Sequence, residues 1–320
     1  MHSIPDDDPS DHRAFVSNIE FYITNVCNLS CNNCNRFNDH DFKGWQRWSD
    51  YAEQYQQWSK HVRLQRITIL GGEPLLNPSI CDWIDGINQL WNKAVQVLTN
   101  GTRINHVPDL YNRISKFQDP KHPWIKNWIG ISLHNENDRE ACFVEINKFL
   151  QHPITYYKST DPLNVDQCHT WGADHAFVDK NGIRIHVWEY DSFYKSAVQK
   201  NSLGRFSLFN NDPAQSHNDC GFVQYKCYHF IRAKLYKCGP VALFPEFDQQ
   251  HNFDISSQDR ELLHSYLPLS VNEFESRGQH FLNHIDDVIP QCKFCPTIKD
   301  QTNQKIFAVN KKAGSTGQFQ

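Results

Sequence analysis

Three closely spaced cysteines near the start of the chain constrain it more than any other feature. Cys27, Cys31 and Cys34 form a C-x3-C-x2-C array directly after the apolar run 19–26. Three thiolates on one short loop can hold three corners of a cubane iron–sulfur cluster, which normally takes four cysteine ligands. A missing fourth ligand leaves one iron open, as in catalytic rather than structural metal sites. A zinc site is the alternative, although zinc usually takes four ligands in two pairs.

Three further motifs follow the array in the chain. They are Gly71-Gly72-Glu73-Pro74, Thr99-Asn100-Gly101 and Ile131-Ser132-Leu133-His134. The first follows the apolar run 66–70, the second follows 94–98, and the third ends the run 128–133. With the cysteine array before them, these motifs have the order found in radical S-adenosylmethionine (SAM) enzymes, and the chain resembles that superfamily.

The resemblance implies a partial (β/α)6 TIM-like barrel and a [4Fe–4S] cluster on the three cysteines. SAM would bind the open iron through its amino and carboxylate groups. The other SAM-binding positions would be Gly71, Gly72, Glu73, Pro74, Asn100, Ser132 and His134. The glycines would let the backbone approach the methionine end, while Asn100 and Ser132 would hydrogen-bond its carboxylate or the ribose. The chain departs from the family at Asn33, where an aromatic residue is common, and at His134, where an acid is common.

Hydrophobic periodicity predicts alternating strands and helices over the first half of the chain. The expected strands are 19–26, 66–70, 94–98, 128–133 and 154–158, and the expected helices are 50–62, capped by Asp50, 78–92, 109–117 and 138–150. This alternation favours a parallel sheet with right-handed crossovers. In such sheets ligands bind beyond the carboxyl ends of the strands, where the motifs lie. Residues 183–187 are expected to form the sixth strand, with a hairpin after Asn181-Gly182 as the alternative.

The sequence divides into a barrel domain at 15–195 and a small cysteine-rich α+β appendage at 196–300. Residues 196–218 have the composition of a linker, and the polar tail 301–320 is expected to be disordered. Within the appendage, residues 231–236 alternate as in a strand of a small hairpin.

A second cysteine set lies in the appendage. It comprises Cys227, Cys238, Cys292 and Cys295, with Cys220 as a spare that could replace one of them. This set resembles the "twitch" domain, a shortened form of the SPASM appendage in which four cysteines hold one auxiliary [4Fe–4S] cluster. A structural zinc site on the same four thiolates is the alternative. Cys81, Cys142 and Cys168 stand alone and are expected to be small apolar fillers.

Composition narrows the possible partners. The chain has 320 residues, 32 basic and 36 acidic side chains and a net charge of -4, without a basic cluster for nucleic acid. No apolar run reaches the ~20 residues of a membrane span. Residues 1–13 lack the apolar segment of a signal peptide, so a cytoplasmic location is expected. The odd count of 11 cysteines, in tight groups, favours metal or redox chemistry over disulfides.

These features predict a radical SAM enzyme, an oxidoreductase that abstracts hydrogen from a small polar or sugar-like substrate. An auxiliary cluster would accept one electron from the substrate. A reductase or flavodoxin-type protein would donate the electron that reduces the SAM-binding cluster. About sixteen residues precede the first strand, so no N-terminal peptide-recognition domain is expected. A peptide-modifying enzyme and a non-enzymatic iron–sulfur or zinc scaffold are the alternatives. The sequence identifies no catalytic acid or base.

Overall fold

A computed structural model describes residues 11–120, 122–159, 172–190, 195–300 and 308–311. The strands are β1 (Ala14–Tyr22), β2 (Leu29–Cys31), β3 (Val62–Leu70), β4 (Gln96–Thr99), β5 (Trp128–Leu133), β6 (Ile154–Lys158), β7 (His175–Asp179), β8 (Arg184–Glu189), β9 (Gln199–Lys200), β10 (Phe206–Ser207), β11 (Tyr228–Ile231), β12 (Lys234–Tyr236), β13 (Leu269–Ser270) and β14 (Ala308–Asn310). The α-helices are α1 (Ala52–His61), α2 (Ile80–Trp91), α3 (Leu110–Lys116), α4 (Arg139–Phe149), α5 (Pro213–Asn218), α6 (Gly221–Gln224), α7 (Gly239–His251), α8 (Ser257–His264) and α9 (Gln279–Asn283).

Ten of these strands form one sheet in the order β13-β12-β11-β1-β3-β4-β5-β8-β7-β6. The six central strands, from β11 to β8, run parallel, and the strands at both edges are antiparallel. Helices α1, α2 and α3 connect successive parallel strands, as the periodicity predicts. The expectation of an α/β fold with a mostly parallel sheet is confirmed.

Buried apolar side chains explain the helix–sheet packing. On α2, Ile80, Trp83, Ile84 and Ile87 are buried at the predicted helical spacing. On α1, Tyr55 and Trp58 are buried against the sheet. The predicted cap of α1 is wrong, because Asp50 lies in a preceding 3-10 turn and no side chain caps the helix.

The order of the strands after α4 differs from the expectation. Residues 154–158 form a strand with the predicted bounds, but β6 lies antiparallel at the sheet edge instead of beside β5. The position beside β5 is taken by β8, which enters from β7 through a turn at Gly182 (φ 75°). Residues 183–187 thus lie largely in β8, which is the fifth parallel strand along the chain because β6 is antiparallel, and they also follow a hairpin. Burial explains the exchange, because the centre of β8 is buried whereas β6 is mostly exposed.

The sheet continues across the predicted boundary at residue 195, because β11 pairs parallel with β1. The predicted hairpin is present as β11–β12, but Arg232 and Ala233 form its turn with positive φ and do not lie in a strand. Trp58 Nε1 donates to the Ala233 carbonyl at 2.8 Å and fixes this turn on α1. The division into a barrel domain and an appendage stays a prediction.

Two segments are more ordered than their composition suggests. Within 196–218, expected to be a linker, Ala197, Val198 and Leu208 are buried, and α5 forms. In the tail, β14 pairs antiparallel with β2 in the cysteine loop. The expectation of disorder is therefore wrong for 308–311, and the rest of 301–320 lies outside the described residues. Within the described ranges, no helix is both long enough and apolar enough to cross a membrane.

Candidate metal centre

The first cysteine loop leaves the sheet at the carboxyl end of β1. Cys27 and Cys31 are buried, Cys34 is half-buried, and the Cys34 amide donates to the Cys31 carbonyl at 3.2 Å. Asn33 has a left-handed backbone with φ 61°. Asparagine adopts this conformation more readily than an aromatic residue does, so Asn33 suits the local backbone.

Burial keeps the three thiols protonated in the absence of metal. It raises the pKa of Cys27 to about 12 and also raises the pKa of Cys31 and Cys34. Metal binding replaces such thiol protons. Thiolates are the protein ligands of iron–sulfur clusters, so the three cysteines fit such a cluster by their chemical type, although in this structure the described side chains do not converge into a group that could hold a metal ion.

The Gly71-Gly72 turn packs directly against the residues that lead into the cysteine loop. The Gly72 amide donates to the Thr24 carbonyl at 2.7 Å, and the Glu73 amide donates to the Val26 carbonyl at 2.8 Å. A Cβ on Gly72 would lie 2.3 Å from the Val26 oxygen. The glycines are therefore required by the approach of two protein backbones, and their predicted contact with SAM stays a prediction.

Glu73 joins the ends of two parallel strands. Its carboxylate is fully buried and accepts hydrogen bonds from Thr99 Oγ1 at 2.6 Å, the Asn100 amide at 2.8 Å and the Leu75 amide at 3.0 Å. Burial raises the pKa of Glu73, and these three donors oppose that rise. The carboxylate thus positions Asn100 at the strand end. Pro74 follows as the first residue of a short 3-10 turn.

Asn100 is fixed towards the first cysteine loop. Its side-chain nitrogen Nδ2 donates to Asn28 Oδ1 at 3.0 Å and lies 3.9 Å from the Cys27 sulfur. Ser132 and His134 lie at the end of the neighbouring β5 and line the same cavity as Asn100. Burial lowers the pKa of His134 to about 4, so its imidazole is neutral near pH 7.

In the second cysteine set, the thiols of Cys220, Cys238, Cys292 and Cys295 interact electrostatically. Burial raises the pKa of Cys295 well above its usual value, and the thiols of the other three raise it further. Cys220 and Cys292 also raise the pKa of Cys238, and Cys220 raises that of Cys292. Each pair among these four thiols is therefore close enough to interact electrostatically.

Hydrogen bonds between side chains and backbone explain how Cys220 comes close to this group. The segment before it packs on the segment that holds the C-x2-C pair. Ser216 Oγ donates to the Cys295 carbonyl at 3.0 Å, and Asp219 Oδ2 accepts from the Ile298 amide at 2.8 Å.

Cys227 faces a different direction from the predicted partners. Its sulfur accepts from Asn18 Nδ2 at 3.2 Å, and Asn18 lies on β1. After burial, the charges that most affect its pKa are those of Glu20 and Arg36, and the only cysteine among the main contributors is Cys220. These electrostatic contacts favour Cys220 over Cys227 as the partner of Cys238, Cys292 and Cys295, and the predicted ligand set stays a prediction.

Both cysteine groups line one cavity of about 570 Å³. The lining residues include the strand-end and first-loop residues Cys27, Cys31, Cys34, Gly71, Gly72, Asn100, Ser132 and His134, and also Cys220, Cys227 and Cys295. Glu20, Arg36, Tyr190, Lys195 and Tyr225 complete much of the lining.

No three His, Cys, Asp or Glu side chains of the described residues form a group that could hold a metal ion. The ten cysteines in these ranges are free thiols, and Cys81 and Cys142 pack on the core as expected; Cys168 lies outside the described residues.

Sequence reasoning missed a buried ion pair in this cavity. Arg36 Nη2 donates to Glu20 Oε2 at 2.6 Å, and His229 Nε2 lies 2.7 Å from the same oxygen. Burial opposes ionisation, but Arg36 and His229 hold the pKa of Glu20 at about 2. The available signal was the position of Arg36, two residues after Cys34.

Residues 21–159 match the family model of the Radical SAM superfamily. The matched segment is less than half of the chain and contains the first cysteine loop and all three strand-end motifs. The predicted class, a radical SAM enzyme, is confirmed.

The chain is also similar to solved structures of Streptococcus suis SuiB. SuiB bound to S-adenosylmethionine is 12% identical over 81% of this chain and 55% of that chain, with a TM-score of 0.36. SuiB bound to precursor peptide SuiA is 20% identical over 40% of this chain and 26% of that chain, with a TM-score of 0.31. The chain thus spans about half the length of these structures or less, and at these TM-scores the likeness carries no information about substrate. No curated protein matches the chain.

Proposed function

We propose that this chain cleaves SAM at a cluster on Cys27, Cys31 and Cys34 and oxidises a small polar or sugar-like substrate with the help of an auxiliary cluster. The observation that carries the proposal is one cavity lined by all three cysteines of the first group and by Cys220 and Cys295 of the second. A substrate between two redox centres can lose a hydrogen atom towards one and an electron towards the other. We further propose Cys220, Cys238, Cys292 and Cys295 as the ligands of the auxiliary cluster, since four thiolates close such a site.

A [4Fe–4S] cluster with one open iron, when loaded with SAM, supplies a 5'-deoxyadenosyl radical by one-electron reduction. The residues of this chain bind and orient the reactants. Asn100 and Ser132 line the cavity at neighbouring strand ends and can hydrogen-bond the methionine carboxylate or the ribose. Glu73 acts indirectly, because its carboxylate is engaged by three donors of the chain and holds Asn100 in place.

The reaction class follows from a balance of protons and electrons. Oxidation of a secondary alcohol removes one hydrogen atom from carbon, one electron and the hydroxyl proton. With both groups bound, the SAM-derived radical would be the acceptor of the hydrogen atom and the auxiliary cluster the acceptor of the electron, and the proton would pass to water. His134 is neutral near pH 7 and can accept a hydrogen bond from the substrate hydroxyl, since its ring lies at the cavity wall.

Cavity size favours a small substrate. Pockets for small molecules typically enclose about 300–1,000 Å³, and about 570 Å³ must accommodate SAM as well as the substrate. The polar lining residues Lys195 and Tyr190 suit a substrate with several hydroxyl groups. A peptide side chain is the second candidate, because the cavity reaches the surface at Tyr225, which is 68% exposed.

The test is product analysis with the anaerobically reconstituted, reduced protein. It would be incubated with SAM and either a panel of sugars and amino sugars or a panel of synthetic peptides. A sugar product lighter by two hydrogens, formed with one 5'-deoxyadenosine per product, would support the proposal. A modified peptide with no sugar product would transfer the assignment to the peptide-modifying class.

The electron donor has its own test. A flavodoxin-type protein with its reductase should replace the chemical reductant and sustain product formation. Failure of several such donors, while a chemical reductant works, would argue against this partner class.

A further inference from the structure

One arginine contacts both parts of the cavity. Arg36 lies in the first cysteine loop, two residues after Cys34, and its side chain is nearly buried. Nη2 donates to Glu20 on β1 at 2.6 Å, and Nη1 lies 2.8 Å from His229 Nε2 on β11. The guanidinium therefore links the loop of the first cysteine group to the strand that follows Cys227.

The same guanidinium contacts residues adjacent to the second cysteine group. The Phe222 ring, two residues after Cys220, lies with its centroid 5.1 Å from the guanidinium carbon. Gly239, directly after Cys238, approaches so closely that a Cβ there would lie 2.1 Å from Nη1. A larger residue at this point would require the guanidinium of Arg36 to shift from its present position, so the two segments lie in close contact.

The charges on this contact are balanced. Glu20 is the carboxylate that pairs with Arg36, and both residues line the cavity between the cysteine groups. Removal of one member of a buried ion pair leaves the other charge uncompensated. An uncompensated negative charge makes the addition of an electron to a nearby cluster less favourable, and an uncompensated positive charge makes it more favourable.

We infer that Arg36 is a positioning residue that holds the two cysteine groups at a fixed separation and, through its ion pair with Glu20, sets the reduction potentials of the clusters they would carry. This inference rests on the proposed function, because it needs both clusters. It differs from a purely structural role, since the two members of the pair should affect the potentials in opposite directions.

The experiment is an EPR-monitored redox titration of both clusters in four proteins. These are wild type, Arg36→Gln, Glu20→Gln and the double variant. Arg36→Gln should lower the reduction equilibrium constants about tenfold, which is about 59 mV for one electron. Glu20→Gln should raise them by a similar factor, and the double variant should return to the wild-type values. The control is Arg205→Gln, whose exposed partner Asp254 lies 3.8 Å away outside the cavity lining; it should leave the potentials unchanged.

Two outcomes would overturn the inference. Single variants that load both clusters with unchanged potentials would exclude an electrostatic role, and shifts in the same direction would indicate general disruption. If Arg36→Gln loads no iron, Glu20→Gln and Arg36→Lys decide the question: the former should still raise the potentials and the latter should keep them near wild type. A wild-type protein with only one cluster would instead contradict the proposed function.

Discussion

Replacement of Gly72 by alanine tests how the first cysteine loop is held in place. The new Cβ would lie 2.3 Å from the Val26 carbonyl oxygen and 2.6 Å from Asn38 Oδ1. A backbone oxygen next to Cys27 cannot move without moving the loop. The contact can be relieved only by separating the two backbones that the Glu73 amide and the Val26 carbonyl now join at 2.8 Å.

Two contributions set the expected loss of stability in Gly72→Ala. Overpacking of a well-packed site costs about 1–3 kcal/mol, and loss of the backbone hydrogen bond adds about 1 kcal/mol. The free energy of unfolding should therefore fall by roughly 3 kcal/mol, and Tm by roughly 6 °C. Because the strain is applied one residue before Cys27, iron bound by the first group should fall as well.

The assay pairs thermal unfolding of the apoprotein with iron analysis after anaerobic reconstitution. The matched control is Gly182→Ala, which sits at φ 75° in open space at the turn before β8. A left-handed alanine costs about 1–2 kcal/mol, so this variant should lose stability but keep its iron. A Gly72→Ala protein with wild-type Tm and iron content would refute the packing argument, and equal iron loss in both variants would refute its link to the cysteine loop.

Three further results are expected. Cys220→Ala should reduce the iron content from about eight to about four per chain, whereas Cys227→Ala should keep it near eight. The reverse result would support the ligand set predicted from sequence, with Cys227. Zinc in place of the second four irons would support the zinc alternative. Cys292→Ala should keep SAM cleavage but lose product, and loss of both would make the second group structural. Glu20 has a pKa of about 2 in the folded protein, below its usual 4.5. Its ionised carboxylate therefore stabilises the fold above pH 4.5 by roughly 3 kcal/mol, and this contribution is lost as the pH falls from 4.5 to 2. The acid unfolding of Glu20→Gln should lack this loss of stability.

Local sequence patterns were sufficient for most of the elements. The bounds of β5 and β6 agree with the predicted runs, because alternation and flanking turn residues act over a few positions. Strand pairing depends on contacts distant in sequence and was not predicted. The polar residues Thr155 and Lys158, both exposed in the structure, were the available sign in the sequence that β6 belongs at an edge.

In the site, too, local features could be predicted from the sequence and contacts between distant residues could not. The strand-end residues were identified because their motifs are contiguous in sequence. The pairing of Arg36 with His229 joins residues 193 positions apart, and no short pattern reports it. The choice between Cys220 and Cys227 depends on how the segment ending at Asp219 packs on Ile298, which cysteine spacing alone does not determine.

The most direct test of the account is SAM cleavage by the reduced, iron-loaded protein. The account predicts 5'-deoxyadenosine and methionine in equal amounts, and no 5'-deoxyadenosine from Cys27→Ala. Intact SAM after incubation with wild-type protein that holds its full iron content and is reduced would contradict it.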